Sequence, residues 1–154
     1  MPVALGFRFS TDLVTARTHN KIMRTVNRET GEHIATKVTK KKFQKSALRE
    51  YPGIVTPRGE KYNRRKQRKV GHTIPNVLSG RMREHVTSNS RVTATRNGGR
   101  VMLRNYFPMQ ARQRQELEAM NQGDVARAQV HANNVWLREA NKPKNRRKRK
   151  RRIG

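Results

Sequence analysis

The sequence predicts an α+β domain: a long N-terminal helix, a basic loop, a short helix, an antiparallel β-hairpin or small sheet, two C-terminal helices and an extended basic C-terminal arm. Three observations carry that expectation. Apolar residues recur at helical spacing near the start of the chain and again near its end. Period-two alternation is confined to one stretch around Asn97-Gly98-Gly99. No strand-helix-strand rhythm and no internal repeat runs along the chain. The 154 residues suit a single domain, placed at 1–141 with a basic loop at 40–72, and 142–154 form the arm.

The first helix is read from Leu13, Ala16, Met23, Val26, Ile34 and Val38, with Ser10, Thr11 or Asp12 available as its N-cap. Gly31 interrupts the stripe, so one long helix and two shorter ones both fit. Lys40, Lys41 and Lys42 precede Phe43, and the two Pro and two Gly of YPGIVTPRGEKY make that stretch a loop more readily than a core element. Ser79 is a candidate cap for a short helix, and Pro75 biases Thr73 and Ile74 towards extended backbone.

Val92 to Thr95 alternate into Asn97-Gly98-Gly99, and Arg100 to Arg104 run out again as a hairpin, with His85 to Ser88 assigned to the same strand or its neighbour. The exposed face carries Arg91, Arg96, Arg100 and Arg104, the side of the first two being set by register. Leu117 and Met120 mark a helix over 109–121. Gly123 ends it and Asp124 caps the next helix, whose inward stripe is Val125, Ala128, Ala132, Val135 and Trp136. Trp136 is assigned to core or subunit-interface packing.

Charge narrows the function. Thirty-seven Lys and Arg stand against ten Asp and Glu, a net +27, while only 32% of residues are hydrophobic. Self-repulsion opposes compaction and little apolar surface is available to bury, which implies a polyanion, a large assembly, or both. Two runs concentrate the charge. Arg58, Lys61, Arg64, Arg65, Lys66, Arg68 and Lys69 surround Tyr62, a stacking platform or a simple anchor. The arm adds Lys142, Lys144, Arg146, Arg147, Lys148, Arg149, Lys150, Arg151 and Arg152. Both runs are candidate contacts to nucleic acid or to a partner protein, by salt-dependent phosphate pairing rather than base reading.

The same inventory argues against other classes. There is no Cys, and His19, His33, His72, His85 and His131 form no metal-ligand pattern. Asp12, Glu50, Glu84 and Asp124 are widely separated, and Gly98 and Gly99 lack a phosphate-loop context. The expectation is a protein that is no enzyme and takes no cofactor or metal. No apolar run predicts a membrane span, and MPVALGFRFSTD does not read as a signal peptide.

Tyr62-Asn63-Arg64-Arg65-Lys66-Gln67-Arg68-Lys69-Val70-Gly71, followed by Ile74-Pro75-Asn76-Val77-Leu78-Ser79-Gly80-Arg81-Met82-Arg83, resembles a segment of phage tail-completion and neck proteins, the head-tail joining or minor tail family of long-tailed phages. Asn76 departs from that family's hydrophobic residue after Pro, and the basic arm is an unusually strong extension. The resemblance implies that Ser79, Gly80, Arg81 and Arg83 form a turn opening a short helix that leads into strands. It also implies a non-enzymatic virion protein, assembled in the host cytoplasm, that forms a ring of its own copies at the head-tail connector, neck or tail terminus. Portal, adaptor, neck or tail-tube proteins and packaged double-stranded DNA would be its partners. A ribosomal or other ribonucleoprotein component, filling an RNA cleft with its loop and arm, is the alternative.

Overall fold

The computed structural model describes residues 4–5, 14–74, 76, 81–104 and 111–145. The α+β class and the element order follow the sequence expectation. Helix α1 (Ala16–His33) is capped by Thr15, whose Oγ1 accepts from the Thr18 N–H at 3.3 Å. The caps expected at Ser10, Thr11 and Asp12 lie outside the described residues. The helix does not stop at Gly31. It passes through a π-helical turn, Ile34–Val38, into a last α-helical turn, α2 (Thr39–Lys41). The π turn is closed by Thr39, whose backbone N–H and Oγ1 both donate to the Ile34 carbonyl.

Short α3 (Ala47–Glu50), α4 (Glu60–Val70) and α5 (Arg81–Ser88) follow. Strands β2 (Arg91–Thr95) and β3 (Gly98–Met102) form the hairpin, and β1 (Ala4–Leu5) adds to the far side of β3. The three-stranded antiparallel sheet has the order β1-β3-β2, with Ala4 opposite Arg100, Arg91 opposite Met102 and Thr95 opposite Gly98. Helices α6 (Ala111–Glu118) and α7 (Gln122–Ala140) complete the chain.

α1 is the hub. Its Ile22, Met23 and Val26 pack on Ala132, Val135, Trp136 and Ala140 of α7, which places Trp136 in the core at 5% exposure. Val101 of β3 is buried on the inner side of the sheet. The helix and sheet come close because two glycines let them. A Cβ on Gly31 would lie 2.5 Å from Val92 Cγ1, and one on Gly99 would lie 3.0 Å from the Asn27 carbonyl oxygen. Asn27 Nδ2 donates to the Thr95 carbonyl at 2.8 Å and fixes the hairpin along the helix. Gly31 is therefore a contact point rather than a helix stop.

Several expectations need correction. The presumed basic loop over 40–72 contains α3 and α4. Ala47, Tyr51 and Val55, four residues apart, are buried as a cluster of their own, so Tyr51 and Val55 of YPGIV belong to the interior while Pro52 and Gly53 stay exposed. His85 to Ser88 belong to α5, not to a strand. Asp124 is not the cap of α7: Asn121 is, its side-chain oxygen accepting from the Asp124 N–H at 2.7 Å. Asp124 lies in the first turn, fully buried, accepting from Tyr51 at 3.1 Å and paired with Arg127 at 2.6 Å. Val125 points outward at 46% exposure instead of joining the stripe.

Lys42 is the least expected interior residue. It is 1% exposed, and its ammonium donates to the Leu117 carbonyl at 2.7 Å and to the Ala119 carbonyl, capping the C-terminus of α6. Burial pushes its pKa down to about 8, against the attraction of Asp124 and Glu118.

Gly31→Ala tests the α1–hairpin contact. Helix propensity alone would gain about 1 kcal/mol, while overpacking against Val92 costs about 1–3 kcal/mol. The expected outcome is a lower denaturant midpoint in the wild-type background and a higher one in a Val92→Ala background. A gain in both would mean that the two elements are farther apart.

Candidate nucleic-acid interface

α4 turns the basic run into a surface. At about 100° per residue, Lys61, Arg64, Arg65, Arg68 and Lys69 fall within about 140° of arc, and all five are exposed. Tyr62 lies at the edge of this face, half exposed, with the Lys66 ammonium 5.7 Å from its ring centroid. Glu60 pairs with Arg64 one turn away, an exposed and solvent-screened contact. Gly71, at φ 72°, ends the helix in left-handed geometry while its N–H donates to the Gln67 carbonyl.

What holds α4 to the body is polar. Among the described residues none of its side chains joins an apolar cluster. Arg58, which precedes the helix, donates to both Glu116 carboxylate oxygens of α6, at 2.8 and 2.9 Å. Asn76, on the return of the chain, donates to the same carboxylate at 3.1 Å and accepts from Arg58 at 3.1 Å. Asn63 and Lys66 of α4 bind the Arg58 and Ile74 carbonyls. One carboxylate, 3% exposed, thus clamps both ends of the 58–76 excursion, and Arg112 pairs with it from the adjoining turn of α6 at 3.2 Å. Burial alone would raise the Glu116 carboxyl, but the hydrogen bonds from Arg58 and Asn76 override it and hold it below its ordinary 4.5.

The clamp changes the roles of two predicted contact residues. Arg58 and Lys66 face inward, Lys66 at 4% exposure, and serve the attachment of α4 rather than its outer face. Lys142 pairs with Glu139 at 2.6 Å, and Asn145 Nδ2 donates to the Glu139 carbonyl at 2.8 Å, so the arm starts by folding back on α7. Lys144 is exposed. Arg146, Arg147, Lys148, Arg149, Lys150, Arg151 and Arg152 lie outside the described residues, as do Ser79 and Gly80 of the family-like turn. Arg81 and Arg83 are exposed on α5 and make no ion pair among the described residues.

Glu116 and Asn76 are functional residues that the sequence reading passed over. Asn76 left a trace, as the polar residue where the resembled family has a hydrophobic one. Its backbone is left-handed, φ 58°, a conformation that asparagine tolerates far better than a β-branched or large apolar residue. Glu116 left none, since nothing in sequence distinguishes it from the neighbouring Glu118.

Five of the ten carboxylates, Glu29, Glu60, Glu116, Asp124 and Glu139, are ion-paired, and of these Glu60 alone lies on α4, where it meets Arg64. Among the described residues no cluster of His, Asp and Glu is arranged to hold a metal ion, and no helix is long and apolar enough to cross a membrane. The chemistry offered by α4 is therefore presentation of guanidinium and ammonium groups to anionic oxygens. No protein family, curated protein or solved structure matches this chain.

Glu116→Gln removes the charge while keeping the shape, and should cost about 1.5–3 kcal/mol, the worth of hydrogen bonds to a charged group. Tryptic cleavage within 58–76 should accelerate, and equal rates would show that α4 is held in another way. Because the folded carboxyl is depressed, its stabilisation is present above pH 4.5 and is lost as pH falls through the folded value. The gap in denaturant midpoint between wild type and Glu116→Gln should accordingly be full at pH 6 and shrink as the pH is taken below 4.5 through the depressed folded value.

Proposed function

We propose that the protein is a non-enzymatic structural component of a phage virion, a subunit of a ring at the head-tail connector, neck or tail terminus, whose basic faces hold DNA phosphates or adjacent subunits. The observation that carries this reading is the path from α5, opening at Arg81, directly into the β2–β3 hairpin seated on a long N-terminal helix, with two helices after it. That is the order implied by the resemblance around Ser79-Gly80-Arg81-Met82-Arg83. The physical setting agrees with it. A subunit with a thin core gains stability from its neighbours in an assembly, and the exposed apolar residues Val130 and Leu137 lie two turns apart on one face of α7.

The basic face of α4 favours a second reading, a structural component of a ribonucleoprotein particle. A cationic helix attached through a polar clamp fits the groove of a folded RNA as well as it fits a DNA channel.

Cryo-electron microscopy of purified native particles separates the two. Density for this chain in a closed ring at the head-tail junction or tail end is the expected result. Its absence from virions, or density embedded in folded RNA, overturns the phage reading.

A further inference from the structure

The hairpin carries a second concentration of positive charge that α4 and the arm do not account for. Its inner face is covered by α1, through the approach of Val92 to Gly31 and the burial of Val101. The alternate positions Arg91, Thr93 and Thr95 on β2, and Arg100 and Met102 on β3, are exposed on the opposite side. Arg96 occupies the connection between the strands and Arg104 lies two residues past β3, both exposed. All four cations between residues 91 and 104 are arginines, and the segment contains no acid. Among the described residues none of the four side chains makes an ion pair or hydrogen bond.

Register fixes their spacing. Arg91 faces Met102 and Arg100 faces Thr93, so the two arginines are diagonal neighbours about 7–8 Å apart at the backbone. Arg96, in the turn just past β2, lies five residues beyond Arg91, at most about 17 Å away. A duplex presents one phosphate charge per about 1.7 Å of its axis with both strands counted, so a stretch of that length carries about ten phosphates, part of them on the side turned to the hairpin. Arginine suits them, since its planar fork takes two phosphate oxygens at once and is more weakly hydrated than an ammonium. Uniform charge, the lack of any carboxylate within the segment and a rigid backing select a phosphate backbone over a folded protein surface, which mixes both signs.

We propose that the outer face of the β2–β3 hairpin, with the turn at its tip and the residues just past β3, is a second contact surface for a nucleic-acid backbone, Arg91, Arg96, Arg100 and Arg104 each taking a phosphate. The inference deepens the proposed function and rests on its nucleic-acid contact, not on the ring. Two such surfaces on one subunit, α4 and the hairpin, let the protein bridge separate stretches of a strand or grip one stretch from two sides.

The test is the salt dependence of binding by the full chain to a duplex DNA and to a single strand of the same length. In R91Q/R96Q/R100Q/R104Q the slope of log K against log salt should become shallower by about 3.6 on duplex or about 2.8 on single strand, four contacts at 0.9 or 0.7 each. The form on which the slope falls by its full four-contact value is the one that the face holds. R91K/R96K/R100K/R104K should keep the wild-type slope, because the charges remain, and unchanged thermal unfolding of both variants ties the result to the surface. An unchanged slope in the glutamine variant, with wild type still binding, overturns the hairpin surface and leaves the proposed function standing. Failure of the wild type to bind either nucleic acid overturns the hairpin surface together with the nucleic-acid contact on which it rests. Competition by polyglutamate equal to that of DNA, charge for charge, overturns the assignment in favour of an acidic protein partner.

Discussion

The structure depends on how closely α1 approaches the hairpin. Gly31 on the helix and Gly99 on β3 remove the two side chains that would hold the layers apart, and Val92 fills the space. With only 32% hydrophobic residues, the chain has few ways to exclude water, and close backbone approach extracts more packing from small residues than a layer of larger side chains would. The other face of α1 takes α7 with its alanines, Ala132 and Ala140, on the same principle. One helix is therefore buried on two sides, and the rest of the molecule is arranged around it.

The second constraint is electrostatic. Ten carboxylates have to stabilise a chain with thirty-seven lysines and arginines, and three of them, Glu116, Asp124 and Glu139, are placed where each serves several partners. Glu116 joins Arg58, Asn76 and Arg112; Asp124 joins Tyr51 and Arg127; Glu139 joins Arg138 and Lys142. A carboxylate shared in this way neutralises the cations nearest the core and leaves the distal ones unopposed. Internal cohesion and outward positive potential come from the same allocation of charge.

The fold was legible where periodicity is strong. Met23 and Val26 announced α1, Ile34 and Val38 its π-helical continuation, and the alternation from Val92 to Thr95 announced β2. Reading failed where tertiary partners decide. Lys42 is buried because α6 brings two carbonyls to it, which no local pattern encodes. Tyr51 and Val55 sit in a Pro- and Gly-rich stretch that composition assigns to a loop, yet their spacing matches a single turn closed by the Val55 N–H on the Tyr51 carbonyl. At the candidate interface the exposed cations of α4 could be named from the sequence. The inward turn of Arg58 depends on Glu116, some fifty residues downstream, and that of Lys66 on the Ile74 carbonyl.

The pairing of α1 with α7 has a consequence for synthesis. The residues that Met23 and Val26 need for burial leave the ribosome roughly a hundred residues later, a delay of about 5–20 s at ordinary translation rates. During that interval the growing polycation carries an unpartnered apolar stripe. The hairpin, which completes before α6, can cover one side of the helix early. The other side waits for α7, so closure of the core is tied to near-completion of the polypeptide, and a chain truncated before α7 would release α1 half uncovered.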